Sequence, residues 1–355
     1  MKILLNTSYD HPLNSGGVST FNRNIINIFS DEELIVLAYH SSKLKLFSNN
    51  IKNLIELYPK NRLFRSIDAR IFKYKVQKYM LKNKIEKMNP DICIFNSPND
   101  LEVIIENKNI KKILVQHINF DKYIEIYGKD RIALGNLMEK IGCFVCLSEY
   151  DKERFSKELN ISLEKFEVIR HISNIELKKD KKERNKILVM IARLHNEQKR
   201  FDLAIQAMKK LPDFTLKVYG DGSQSMLKEL IEKNNLKNVE LCGPTNEVKE
   251  KLDEAGIFIM TSDYEGYPIS LIEAMRRGLP IVLRDTFDSA KDIVINNGVL
   301  LEKEWNENKF VEAVKKVHNN YEYYSENSRK LGERHNFEKI KREWKRLFGE
   351  IENEK

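Results

Sequence analysis

Two carboxylates, two cations and a turn of glycine and proline mark the second half of this sequence as a place where chemistry can be done. Glu265 and Glu273 lie eight positions apart in the stretch 257–283, IFIMTSDYEGYPISLIEAMRRGLPIVL. Arg193 follows the apolar run 187–191, and Lys199 stands just ahead of a helical pattern. Two cations aimed at one loop region suit an anionic ligand. A helix that starts at Ile269-Ser270 adds free backbone amides, which suit a phosphate. His117 ends another apolar run, where an imidazole can meet a ligand or simply close a strand. Plainer alternatives stand beside these. Ser270-Leu-Ile-Glu273 has the form of a capping box, in which Glu273 serves only the helix start. Glu265 also reads as a solvated loop acid, and Arg193 with Lys199 as surface charges.

These residues need a frame, and the sequence describes one. Ile257–Met260 reads as a buried parallel strand and 263–268 as a turn. A helix then runs from Ser270 to Arg277 and stops at Gly278. Both acids thus fall at the carboxyl end of a parallel strand, where open α/β sheets bind ligands. The same alternation runs along the chain. Strands are expected at Lys2–Asn6, Leu34–Tyr39, Leu54–Tyr58, Asp91–Phe95, Ile113–Gln116, Cys143–Leu147 and Phe166–Ile169. Gly16-Gly17 precedes a helix carrying Val18, Phe21, Ile25 and Ile28, and residues 121–140 are expected to be helical. The charged stretch 176–186 reads as a linker. Strands resume at Ile187–Ile191, Phe214–Tyr219 and Val239–Cys242. The turn Gly220-Asp-Gly222 either approaches a ligand or is a simple turn. The region 284–300 carries little chemistry of its own. Residues 321–352 form one or two charged helices with the apolar stripe Phe337, Ile340, Trp344, Leu347 and Phe348. The class is α/β: doubly wound parallel-sheet domains over 1–175 and 187–334, joined by 176–186.

The segment Glu265-Gly-Tyr-Pro-Ile-Ser-Leu-Ile-Glu273 resembles the E-x7-E motif of retaining GT-B glycosyltransferases of family 4. Ala274-Met275 and Gly278-Leu-Pro280 match that family's usual continuation. The likeness is close over 187–283 and looser before it. It implies a GT-B fold, two Rossmann-like domains facing a cleft, with the C-terminal helix 335–355 packed back on the first domain. It also implies donor-site roles. Gly16 and Gly17 would face the donor diphosphate and the acceptor, and His117 the donor sugar. Arg193 and Lys199 would clamp the diphosphate, and Gly243-Pro244 would meet the base. Gly266, Tyr267, Pro268, Ile269 and Ser270 would form the turn and helix start over the donor. Glu265 would accept hydroxyls of the sugar, and Glu273 those of the ribose. No metal or other cofactor is implied, because two cations and a helix dipole take a metal's place and no Asp-x-Asp triplet is present. Two positions depart from the family pattern: Arg200, where glycine is usual, and His171, where asparagine is. The expected activity is transfer from a nucleotide-sugar, a UDP-sugar above all, to a glycan, lipid-linked glycan or protein acceptor in surface polysaccharide or glycoconjugate synthesis. A nucleotide-sugar epimerase and a non-catalytic binding partner of the same fold are the alternatives.

Composition narrows the partners. The chain of 355 residues is 41% hydrophobic, enough for two ordinary cores. Residues 60–88 hold 10 Lys+Arg against 2 Asp+Glu and so carry the whole net charge of +8. That is a basic segment, not a basic protein, and nucleic acid is not an expected partner. Phe64, Ile67, Ile71, Tyr74, Leu81, Ile85 and Met88 fall at helical spacing as a core-facing stripe. Leu63, Phe72, Val76 and Tyr79 lie outside it. Such a helix reads either as a dock for an anionic membrane surface or substrate, or as the solvated face of a packed helix. No apolar run approaches the ~20 residues of a membrane span, and residues 1–8 have a strand pattern, not that of a signal peptide. The expected location is cytoplasmic, with peripheral membrane contact through 60–88. Cys93, Cys143, Cys146 and Cys242 read as reduced core residues, since Cys143 and Cys146 fall on opposite faces of one strand.

Overall fold

The structure is a computed structural model that describes residues 1–7, 11–12, 14, 16–39, 53–57, 68–72, 74–180 and 184–353. The chain forms two units. The first comprises Met1–Leu147, Asp151–Ile169 and Lys341–Lys355, and the second Ser148–Tyr150 and Arg170–Ile340.

The first unit holds a seven-stranded parallel sheet in the order β3-β2-β1-β4-β5-β6-β7. Its strands are β1 (Lys2–Asn6), β2 (Glu33–Ala38), β3 (Leu54–Glu56), β4 (Ile92–Phe95), β5 (Lys111–Val115), β6 (Cys143–Cys146) and β7 (Phe166–Val168). All four residues of β4 and of β6 are buried, as expected of strands covered on both faces. The helix Gly17–Ile28 buries Phe21, Ile25 and Ile28. The C-terminal helix Phe337–Asn353 adds Trp344, Leu347 and Phe348 to the buried set. Phe348 stacks on Phe29 with ring centroids 4.5 Å apart, and Trp344 lies 6.1 Å from Phe21. Burying each of these large side chains is worth about 1.5–3 kcal/mol.

One helical expectation is refined here and another changes. The span 121–140 is two helices, Phe120–Tyr127 and Arg131–Glu139. Gly128 closes the first, and the Asp130 carboxylate caps the second by accepting from the Ala133 N–H at 2.9 Å. The basic segment is not one helix either. Asp68–Phe72 is a π-helical turn, and Lys75–Met88 is α-helical behind Tyr74, whose φ is +62°. The left-handed residue breaks the register, so the stripe is not continuous. Leu81 and Ile85 are buried, but Ile71 and Tyr74 are 68% and 47% exposed. Phe64, Ile67 and Leu63, and with them residues 60–67 and Lys73, lie outside the described residues.

The second unit holds a six-stranded parallel sheet in the order β10-β9-β8-β11-β12-β13. Its strands are β8 (Ile187–Ile191), β9 (Thr215–Tyr219), β10 (Val239–Gly243), β11 (Ile257–Met260), β12 (Ile281–Arg284) and β13 (Gly298–Leu301). The last was not expected from the sequence. Leu188, Met190, Leu216, Val218, Ile257, Ile259 and Val282 meet Phe310 and Val314 in its core. Three cysteines are buried as expected, but Cys242 is exposed. It lies on β10, the edge strand, whose residues are only half covered. Gly220 and Gly222 serve packing. A Cβ on Gly220 would meet the Ala192 carbonyl oxygen at 1.9 Å, and the Leu194 N–H donates to Asp221 O at 2.8 Å. Both sheets are Rossmann-like.

Candidate functional site

In the second unit the strand order reverses between β8 and β11. The loops leaving their carboxyl ends flank the crevice where open α/β sheets take ligands. The first loop, 192–195, leads into the helical turn Asn196–Lys199. The second, 261–268, leads into the helix Ile269–Arg276. The Asp263 N–H donates to Gln198 O at 2.8 Å, and Gln198 Nε2 to Tyr264 O at 3.1 Å. The Thr261 hydroxyl is shared between the carbonyls of Lys199 and Arg200 at 3.1 and 2.8 Å. These bonds stitch the two loops together.

Between them lies an ion pair. Lys199 Nζ is 2.6 Å from Glu265 Oε1, with the two side chains only 13% and 9% exposed. A charge-assisted bond this sheltered from water is stronger than a surface pair. Arg200 explains its own departure from the family pattern. Its φ is +50°, the left-handed region that glycine occupies at no cost. A non-glycine residue there costs about 1–3 kcal/mol. The guanidinium offsets this by bonding Asp202 at 3.1 Å and Asp263 at 3.2 Å. Arg193 does not join the pair. Its side chain is exposed and bonds no described residue.

Glu273 stands differently from the capping-box expectation. The helix begins at Ile269, the residue before it is Pro268, and no side chain caps it. The Pro268 carbonyl accepts instead from Leu271 and Ile272, at 3.1 and 3.4 Å. Ser270 and Glu273 are therefore inside the helix, two residues further on than a capping box requires. Proline at this position has φ −63°, already close to helical, so the helix starts two residues earlier than it would with Ser270 as its cap. The Glu273 carboxyl is half-buried and pairs with no described residue. Burial pushes it up to about 7. A buried acid with a raised pKa and no partner among the described residues is a candidate for ligand contact. The helix stops at Gly278, as the sequence indicated. The N–H groups of Gly278 and Leu279 return to Met275 O and Ala274 O, with Gly278 at φ +74°.

Tyr267 turns inward. Its ring is buried and its hydroxyl donates to Asp292 Oδ2 at 3.0 Å, so only its main chain is left for a ligand. Gly266 O accepts from the Ser289 hydroxyl at 2.5 Å. Sequence reasoning missed Ser289 and Asp292 by setting 284–300 aside. His171 is buried, and burial lowers it to about 4. Its carbonyl lies 2.8 Å from His335 Nδ1. Gly243, at φ +75°, gives its carbonyl to the Gly220 N–H at 2.9 Å, and exposed Pro244 follows.

Gly16, Gly17 and His117 belong to the first unit. Gly16 has φ +123°, and a Cβ on either glycine would meet nothing within 4 Å. His117 Nε2 lies 2.8 Å from Asn96 Oδ1, and its ring stands edge-on to Phe21 at 4.9 Å. Asn96 Nδ2 donates to Asn22 Oδ1, so Asn96 Oδ1 accepts and Nε2 carries the histidine proton. Neither asparagine was singled out from sequence. Among the described residues no three His, Cys, Asp or Glu side chains gather as a metal-binding group, and no helix is long and apolar enough to cross a membrane.

Comparison with known proteins gives this arrangement a family. The model for "Glycosyl transferases group 1" matches residues 172–336. An uncharacterized glycosyltransferase of Haemophilus influenzae is 32% identical over 262 residues, 68% of this chain and 70% of that protein. A poly(ribitol-phosphate) alpha-N-acetylglucosaminyltransferase of Staphylococcus aureus is 26% identical over 76% of this chain, which spans 57% of that enzyme's length. Among solved structures, a mutant of S. aureus TarM in complex with fondaparinux, alpha-GlcNAc-glycerol and UDP superposes with a TM-score of 0.73 at 18% identity, covering 98% of this chain and 100% of that one. Its fold is GT-B, two Rossmann-like α/β units, as here. By its Haemophilus influenzae relative, this chain belongs to the glycosyltransferases.

Proposed function

We propose that the protein is a retaining glycosyltransferase of family 4 that takes a UDP-sugar as donor. The observation that carries this reading is the Lys199–Glu265 pair, held between the loops of β8 and β11 with the unpaired Glu273 on the helix behind it. In this reading Lys199 and Arg193 hold the diphosphate and stabilise the charge that develops as it leaves. Lys199 is sheltered by Glu265, whereas Arg193 is exposed and free to swing onto an anion. The uncapped start of Ile269–Arg276 offers its first amides to the same group. Glu265 then accepts hydroxyls of the sugar, and Glu273 those of the ribose. The main chain of Gly266, Tyr267 and Pro268 shapes the turn over the donor, and Gly243-Pro244 lies by the base. Gly16, Gly17 and His117 are assigned by family resemblance, and the His117→Ala variant tests that assignment on its own. The protein's own cations serve where other transferases use a metal.

UDP in the TarM complex, and N-acetylglucosamine in the name of the S. aureus relative, make UDP-N-acetylglucosamine the first donor to try. The acceptor class is a glycan, a lipid-linked glycan or a protein. A lipid-linked acceptor gains support from the basic segment, where Ile71, Tyr74 and Tyr79 are 68%, 47% and 66% exposed among lysines. The test is nucleotide release from a panel of UDP-, GDP- and ADP-sugars, with and without acceptor glycans, read with the anomeric configuration of the product. UDP release with an α-linked product supports the reading. Release of a rearranged nucleotide-sugar identifies an epimerase, and no turnover or binding with any donor identifies a silent partner.

A further inference from the structure

The segment Ser289–Asp292 touches the candidate donor loop twice and also pairs with Arg170 and Arg334. Ser289, fully buried, donates its hydroxyl to Gly266 O at 2.5 Å. Asp292, 7% exposed, accepts four bonds, which fills the capacity of a carboxylate. Oδ2 takes Arg170 Nε at 2.8 Å and the Tyr267 hydroxyl at 3.0 Å. Oδ1 takes Arg170 Nη2 at 2.7 Å and Arg334 Nη2 at 2.8 Å. With no acceptor site left, Asp292 has nothing to offer a ligand.

The two residues it and Ser289 hold, Gly266 and Tyr267, stand between Glu265 and the helix start at Ile269. The two arginines are placed with equal economy. Arg170 is the first residue of the second unit after the chain enters it, and Arg334 lies shortly before the chain leaves at Ile340. We propose that Ser289 and Asp292 are positioning residues for the Glu265 loop, fixing it through Gly266 and Tyr267 and tying it through Arg170 and Arg334 to the segments by which the chain enters and leaves the unit. The proposal rests on the donor-site reading above. It accounts for a tyrosine in the turn: its ring fills the interior and its hydroxyl reaches the one acid that both entry and exit segments share. Loss of either bond frees one residue of the turn from its anchor. Glu265 then loses the fixed geometry in which it meets Lys199.

Removing Asp292 outright strands two half-buried arginines, so the test uses Tyr267→Phe and Ser289→Ala, each of which deletes one hydroxyl. Hydrogen exchange is followed in the full chain by peptide, and UDP binding by calorimetry. In both variants amides of 264–271 exchange about tenfold faster, while those of β8 and β11 keep wild-type protection and the melting temperature falls by no more than a few degrees. UDP affinity falls about tenfold. Loop exchange equal to wild type overturns the proposal, as does acceleration spread evenly over the unit. So does faster loop exchange with UDP affinity unaltered. A wild type that fails to bind UDP overturns the donor reading alone, since the exchange of 264–271 still decides whether these residues hold the loop.

Discussion

Glu273 and Asp292 are acids of the same unit, both largely removed from water, and they are held in opposite ways. Glu273 pairs with no described residue, and burial alone pushes its carboxyl up to about 7. For Asp292 burial acts in the same direction, but the hydrogen bonds and charge of Arg170, with that of Arg334, more than offset it and bring the carboxyl down to about 2. The difference teaches how to separate an acid that builds the protein from one kept for something else. A buried acid whose bonds are all made contributes to the fold. One that costs stability and bonds nothing is retained for a partner that arrives later.

That contrast can be broken first at Asp292. Asp292→Ala leaves two half-buried guanidinium groups without their buried carboxylate and should cost about 3 kcal/mol in chemical denaturation. The wild-type contribution has a defined pH range. The folded pKa lies below the unfolded one, so the stabilisation is complete above about pH 4 and is lost as pH falls toward about 2. A loss below 1 kcal/mol would mean the cluster is dispensable.

The Lys199–Glu265 pair belongs to the reactive side of the comparison. Lys199→Ala should lower turnover about 100-fold or more, about 2.7 kcal/mol of lost transition-state stabilisation, with the fold retained. Arg193→Ala should act similarly with less effect on stability, because its side chain is exposed. Normal turnover in both variants removes the clamp from the reading.

Glu273→Gln sharpens the comparison from the other direction. Here the folded pKa is raised, so the favourable state is the neutral acid, present below the unfolded value near 4.3 and lost as pH rises through about 7. The amide cannot ionise. At pH 8 the variant should therefore be more stable than wild type by about 2 kcal/mol, after discounting for partial exposure, with the gain shrinking toward pH 4. Donor binding should weaken in the same variant. A stability difference that does not vary with pH between 4 and 8 would show that the carboxyl is not held neutral.

The smallest effect concerns the basic segment. Lysines near an anionic bilayer contribute about 1 kcal/mol each, screened by salt. Changing Lys75, Lys78 and Lys82 to Gln should reduce co-sedimentation with anionic vesicles at low salt and make no difference at 1 M. Lys78 and Lys82 already have Glu102 and Glu86 within 3.0 and 3.8 Å, which moderates the expected loss. Equal vesicle binding by variant and wild type would favour a soluble acceptor.

What was legible in the sequence follows from what is local. The strands β8 and β11 were read to the residue, because a strand covered on both faces is an unbroken apolar run. The pairing of Glu265 with Lys199 was legible only as two charges bound for one end of the sheet. The capping box failed because Ser-x-x-Glu is a local rule and Pro268 caps the helix two residues earlier than that rule assumes. The helical reading of 121–140 held, but it did not locate the break at Gly128, where one helix ends before Asp130 caps the next. Asp292 was invisible for a different reason. Its partners Arg170, Tyr267 and Arg334 lie 122, 25 and 42 residues away, and no local pattern encodes such a meeting. The exposure of Cys242 depended on strand order, which fixes β10 as an edge.

The C-terminal helix has a consequence for the order of synthesis. A ribosome that has completed Phe166–Val168 has made every strand of the first sheet, but Phe29 and Phe21 still lack Phe348 and Trp344. The whole second sheet must be made before those aromatics emerge. At about 5–20 residues per second that interval is about 10–35 s. The first unit to begin is therefore the last to be sealed, and for that time its exposed aromatic surface is a natural client for a chaperone.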